Sequence, residues 1–216
     1  MGGSGSKEAP LQAMTTHVKG GANSLMGYWY VASCVPTFIE KGAHNSLEFY
    51  EWTDKAAQKL RVTFKYKSSA KQKKPSVMYQ DGRVINQETG AEWVVRPRLF
   101  NGKLPLPVWL PFIVLEANLV ADPTKAYMVI GQPDRSYLWI MFRDPHFDTL
   151  TYSSVENRCV EEWGYDRDKI KMVPQSWDDD YVRSDPSVWM ADTADTADMA
   201  DMADTGAKKV EEEEKE

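Results

Sequence analysis

The residues of this chain that could do covalent or acid-base chemistry are few and far apart. His17, His44 and His146 fall in an arm and two loops, with no spacing that would let two of them share a metal or relay a proton. Cys34 and Cys159 are the only cysteines. With no apolar leader in MGGSGSKEAP, they are expected to be two reduced thiols. Asp and Glu are plentiful, but there is no His/Cys cluster at ligand spacing, no Gly-x-Ser-x-Gly elbow and no phosphate-cradling loop. The expectation is a protein without catalytic residues, metal or cofactor. Two features remain. Gly2 and Ser6 in Met1-Gly2-Gly3-Ser4-Gly5-Ser6-Lys7 fit the N-myristoylation pattern, and the same residues read equally as a linker. Arg143 ends an apolar run, Tyr137 to Phe142, and a guanidinium there must be paired, stacked on a ring or held at a rim.

That run must be a strand. It is short, aromatic and β-branched, and it is bounded by Gln132-Pro133-Asp134 and Arg143-Asp144-Pro145. Alternation puts Tyr137, Trp139, Met141 and Arg143 on one side and Leu138, Ile140 and Phe142 on the other. Neither face suits water, so each needs an apolar partner. Seven more strand candidates precede it, at 28–35, 46–52, 59–66, 76–85, 91–97, 111–120 and 126–131, joined by turn chemistry such as Glu88-Thr89-Gly90 and Asp122-Pro123. Eight consecutive antiparallel strands close into an up-and-down barrel, which removes the exposed edges and has room for one small ligand.

After the last strand, residues 146–164 read as a helix of about four turns with Tyr152, Val155, Cys159 and Trp163 on one face and Gly164 as its stop. The outer face of the last strand is its natural partner. Residues 169–175 then read as a short extra strand. Residues 1–24 are small and polar, read as a flexible arm, and 178–216 form an acidic Ala-Asp-Thr/Met tail expected to be disordered. The core domain is 25–177.

Composition narrows the class further. The chain is 42% hydrophobic with a net charge of −6, which argues against nucleic acid as a partner, and no run is long enough for a helical membrane span. A cytoplasmic, monomeric protein is expected.

Three motifs carry a family resemblance. Gly27-Tyr28-Trp29-Tyr30 resembles the Gly-x-Trp motif that opens the first lipocalin strand. Gly131-Gln132-Pro133-Asp134-Arg135-Ser136-Tyr137-Leu138-Trp139-Ile140 resembles the last hairpin of the group formed by bacterial lipocalin, apolipoprotein D and plant temperature-induced lipocalins, and Arg143-Asp144-Pro145 resembles the terminal arginine motif. The likeness runs over about 25–177 and continues through Gly164-Tyr165-Asp166 to Pro174-Gln175-Ser176. It departs at Ala121-Asp122-Pro123-Thr124, where the group has Thr-Asp-Tyr, and in the sixth strand.

The resemblance implies that Arg143 lies across Trp29 and closes one end of the barrel, a contact worth about 0.5 to 2 kcal/mol. The family register puts Tyr50, Phe64 and Tyr66 on the cavity wall with Trp139 and Met141, Tyr137 near the mouth, and Glu48 inward as a polar anchor. Either these side chains line a cavity or they fill the barrel. The proline-rich segment 99–112 falls at the open end, where Leu104, Leu106, Val108 and Trp109 either contact a membrane or fold over the pocket as a lid. Lys71, Lys73 and Lys74 would face anionic head groups beside it, or simply solvate a turn. The resemblance implies a carrier of a fatty acid, lysophospholipid, sterol or isoprenoid, peripheral to a membrane and protective against lipid stress. Two alternatives remain: an interaction platform that recruits a partner through the tail or the 99–112 segment, and an isoprenoid enzyme built on the same barrel.

Overall fold

The computed structural model describes residues 9–72 and 74–177. Gly2, Lys73 and the acidic tail over 178–216 lie outside the described residues. Eight strands close one antiparallel barrel: β1 (Gly27–Val35), β2 (His44–Asp54), β3 (Lys59–Lys67), β4 (Ser76–Asn86), β5 (Glu92–Leu99), β7 (Leu110–Asn118), β8 (Tyr127–Gly131) and β9 (Leu138–Phe142). Two short strands lie outside that cycle. β6 (Leu104–Pro105) pairs with the end of β5, and β10 (Lys171–Met172) pairs with Ser33 and Cys34 of β1. Closure comes from β1, which pairs with β2 over Gly27–Tyr30 and with β9 over Tyr30–Val35.

The two faces of β9 sort as the alternation predicts. Trp139 and Met141 join the interior with Trp29, Val31, Phe64, Trp93, Phe112 and Ile130. Leu138, Ile140 and Phe142 point outward and are covered by Tyr152, Val155 and Cys159 of α1 (Thr149–Glu161). The side chain of Asp148 caps that helix, accepting from Thr151 N at 2.8 Å. Arg158 fastens it to the barrel by donating Nε and Nη2 to Glu116 at 2.9 and 3.0 Å, a two-pronged pair that fixes orientation as well as distance.

The segment expected as a flexible arm is not one over its described part. Leu11 N donates to Pro133 O, Met14 N to Val114 O and Val18 N to Thr89 O, all within 3.0 Å. Leu11 is buried beside α1 and the outer strands, and Val18, Ala22 and Leu25 are buried in the interior cluster. Composition misled here because backbone hydrogen bonds and a few spaced apolar side chains hold the segment, and neither registers as a periodic pattern. Gly90 records the closeness: it has φ +70, and a Cβ there would lie 2.6 Å from Ala22 N. The segment runs from the end where β8 turns into β9 to the opposite end, where a 3₁₀ turn, Gly21–Leu25, leads into β1.

Candidate functional site

The barrel has two unlike ends, and the start of β1 defines the closed one. The guanidinium carbon of Arg143 lies 3.6 Å from the centre of the Trp29 ring. Its Nη1 donates to Tyr28 O at 2.7 Å, and its Nη2 donates to Ser24 O and Met26 O, each at 2.9 Å. Trp29 Nε1 donates to Leu25 O at 2.8 Å, and Trp93 Nε1 to Gly90 O at 2.8 Å. Gly27 has φ +96, and any Cβ there would come 3.3 Å from Arg143 Nη1. A glycine thus stands before Tyr28 and Trp29 because the arginine occupies the space a side chain would need. Burial lowers the Arg143 pKa to about 10, so the group stays charged at neutral pH.

Above this floor an aromatic column climbs toward the other end. Tyr50 meets Trp93 edge-on at 5.9 Å, Trp93 stacks on Phe112 at 6.1 Å, Phe112 lies 5.8 Å from Trp139, and Trp139 lies 6.0 Å from Tyr137. Phe64 and Tyr66 stack at 4.8 Å on the facing strand. Burial is graded along the column. Trp29, Trp93 and Leu60 are fully buried near the floor, with Met26 and Trp52 partly covered at its rim, whereas Tyr66, Met78, Leu110 and Tyr137 pack against the same cluster toward the other end and keep part of their surface. With Arg143 and Trp29 closing the other end, the side of the β1–β2, β3–β4, β5–β7 and β8–β9 connections is the one left without such a seal.

Polar groups interrupt this apolar lining. Glu48 lies opposite Trp29 and Phe64 in the register, faces inward and is only 4% exposed. Its Oε2 accepts from the Tyr50 hydroxyl. Burial raises its carboxyl to about 7, against the hydrogen bond from Tyr50 and with help from the charge of Glu40. Glu40 hangs into the mouth from the β1–β2 connection, where its Oε1 accepts from Trp139 Nε1 at 2.7 Å and its Oε2 from Thr37 Oγ1 at 2.6 Å. Cys34 lies beside Trp139 across the β1–β9 pair. Burial, with Glu40 and Glu48 near it, pushes its thiol well above the ordinary range. The Gln80 amide faces inward opposite Val62, is 9% exposed, and makes no hydrogen bond to any described residue.

The structure thus gathers Glu48, Tyr50, Phe64, Tyr66, Tyr137, Trp139 and Met141 in one interior, with Trp29 and Arg143 beneath them. Two interior polar residues escaped the sequence reading. Glu40 sits in an unremarkable turn, and its partner Trp139 is 99 residues away. Gln80 could have been found from strand parity with Val62, but a glutamine in an irregular strand gives no signal by itself.

The 99–112 segment is neither a plain loop nor a lid across the barrel. Leu106 N donates to Pro97 O at 2.9 Å, extending the β5–β6 pairing. Trp109, expected among the membrane contacts, is half-buried on the outer wall. The guanidinium groups of Arg83 and Arg96 both lie over its ring, 4.6 Å from its centre, and Arg96 and Arg98 both hold Asp81 at 2.8 Å. The arginines capture the ring because cation-π contact and shared burial outweigh its exposure at the rim. Leu106 is likewise half-buried. Leu104 and Val108 remain exposed, and two side chains not named from the sequence join them: Phe38, 83% exposed in the β1–β2 connection, and Phe100, 67% exposed. Lys71, Lys74 and Lys103 are exposed on neighbouring connections.

Comparison with known proteins places this geometry. A family model described as a lipocalin-like domain matches residues 22–175. The Arabidopsis thaliana temperature-induced lipocalin-1 is 40% identical over 94 residues, which are 40% of this chain and 50% of that protein, so the chain spans about half the length of this curated relative. Among solved structures, insecticyanin from the tobacco hornworm Manduca sexta aligns with a TM-score of 0.54 at 16% identity, over 78% of this chain and 84% of its own. H1 crustacyanin from the lobster Homarus americanus aligns at 0.53 and 12% identity, over 82% and 95%.

Proposed function

The chain belongs to the lipocalin family, and from that premise we propose that it carries a small apolar molecule, of the fatty acid, lysophospholipid, sterol or isoprenoid kind, and loads or releases it at a membrane surface as protection against lipid stress. The observation that carries this reading is the gradient inside the barrel: a sealed floor at Trp29 and Arg143 and a partly uncovered aromatic lining toward the mouth. A filled platform would be closed at both ends. The similarity to a plant temperature-induced lipocalin supports the stress setting.

The membrane part rests on what surrounds that mouth. Phe38, Phe100, Leu104 and Val108 put exposed apolar surface there, with Lys71, Lys74 and Lys103 close in the topology. Such a surface adds apolar insertion to attraction for anionic head groups. The N-terminal segment begins at the same end, because Arg135 Nη1 of the β8–β9 connection donates to Ala9 O at 3.0 Å. Residues 1–8 could span at most about 27 Å when extended, so a myristoyl group on Gly2 would reach the bilayer that the mouth faces. One myristoyl chain binds marginally and needs a second signal; the apolar rim supplies it.

Flotation on anionic vesicles, with protein made in a host that contains an N-myristoyltransferase, tests this. Wild type should float. Gly2→Ala and the pair Phe38→Ser with Phe100→Ser should each lose most of the bound fraction, and the combination should stay in solution. Equal flotation by wild type and the combined variant removes the membrane and leaves a carrier in solution.

A further inference from the structure

Resting on the carrier reading, the charge inside the barrel says which end group the ligand must have. Every charged or titratable side chain that faces the interior among the described residues can be named. Glu48 and Glu40 are acids. Cys34, Tyr50 and Tyr66 are held protonated by burial, and Tyr137 adds a phenol toward the mouth. Arg143 is a cation, but its guanidinium is fixed at the floor by Trp29 and three carbonyl oxygens. Above the floor the barrel therefore presents two carboxyl groups and no cation.

The unmet hydrogen bonds point the same way. Glu48 is nearly enclosed, yet only its Oε2 has a partner; Oε1 accepts from no described residue. Two strands along the same wall, in register with Val62 and Tyr50, the Gln80 amide is nine-tenths buried and unpartnered among the described residues. Neither Glu48 Oε1 nor the Gln80 amide is among the fully covered orphan polar atoms, so both border open space on the inner wall, where a ligand that supplies the missing hydrogen bond is favoured over one that does not. An incoming donor would satisfy Glu48 Oε1; a hydroxyl would in turn accept from the Gln80 amide N–H, and an ammonium would donate a second proton to the Gln80 amide oxygen.

We propose that the ligand of this barrel is an apolar molecule ending in a hydrogen-bond donor, a hydroxyl or a protonated amine, held between Glu48 and Gln80, and that fatty carboxylates are rejected. A carboxylate would put a third like charge in a site with no mobile cation, and it would offer Glu48 nothing to accept. Within the classes the carrier reading allows, this selects sterols and isoprenoid alcohols over fatty acids; a long-chain amine lies outside those classes and carries the same donor as a probe.

The test uses three probes with one chain length: dodecanol, dodecylamine and dodecanoic acid, titrated against tryptophan emission at pH 8.5, where Glu48 is ionised. The alcohol and amine should bind at least about tenfold more tightly than the acid. Lowering the pH to 6 should weaken the amine and strengthen the acid, since Glu48 titrates at about 7. Glu48→Gln should bring amine and acid to within about threefold of each other while the alcohol changes least. Should that variant not fold, Gln80→Leu is the second measurement and should weaken the alcohol most. Equal or tighter binding of the acid by wild type overturns the proposal, as does an unchanged order in both variants. If none of the three probes binds to folded protein, the carrier reading itself falls.

Discussion

At the floor of the barrel, the polar groups that enclose Arg143 are matched. Three carbonyls take its protons, Trp29 takes its face, and the two buried indole N–H groups beside it donate to Leu25 and Gly90. Above that floor the same chemistry is left unfinished. Glu48, paired in register with Trp29, has one hydrogen-bond partner and Gln80 has none among the described residues, while Phe38 and Phe100 at the mouth itself face water. The two ends come from the same strands, so the contrast is not one of fold. A satisfied end contributes stability and leaves nothing for a ligand to do. An unsatisfied end costs stability and keeps a place for one, which is the trade expected where binding sites are built into a rigid scaffold.

The contrast is most sharply broken at the floor. Arg143→Ala should lower unfolding free energy by about 2 to 4 kcal/mol, because it removes a stacked cation and leaves three half-buried carbonyls without their donor. Denaturant melts read this directly, and affinity for an apolar probe should be retained in the fraction that folds. A loss of affinity without a loss of stability would mean that the arginine serves the mouth.

Glu48 gives the next largest effect, with the opposite sign. Its folded-state pKa is raised from 4.5 to about 7, so its favourable share of stability is present below about pH 4.5 and is lost as pH rises through 7. Unfolding free energy should therefore fall between pH 5 and 8 by up to about 3 kcal/mol more in wild type than in Glu48→Gln. The lowered pKa values of Asp81, Asp134 and Asp148 act only at more acid pH and leave that window alone. Parallel pH profiles for the two proteins would show that Glu48 is not desolvated.

The smallest effect belongs to the rim. Phe38→Ser and Phe100→Ser together should change stability by less than about 0.5 kcal/mol, since both rings are exposed, while the vesicle-bound fraction falls. A large drop in melting temperature would mean that these rings cover the barrel and are not offered to a partner.

The barrel was legible in the sequence wherever one strand carried its own period. The β9 run fixed both of its faces and called for a helix on one of them; Tyr152, Val155 and Cys159 answer it. Arg143 without a water-facing neighbour implied a partner, and the family motif named Trp29 as that partner, which the geometry matches. What the chain alone could not show was anything that depends on two distant segments meeting. Residues 9–24 look like an arm because the bonds that hold them run to Thr89, Val114 and Pro133. Glu40 looks like a solvated turn until Trp139 is brought beside it. Trp109 reads as a free apolar side chain until Arg83 and Arg96 are brought against its ring. Side-chain direction follows from local alternation, which the sequence carries, but the pairing of polar groups follows from closure of the barrel, which joins β1 to β9 and is decided only by the tertiary structure.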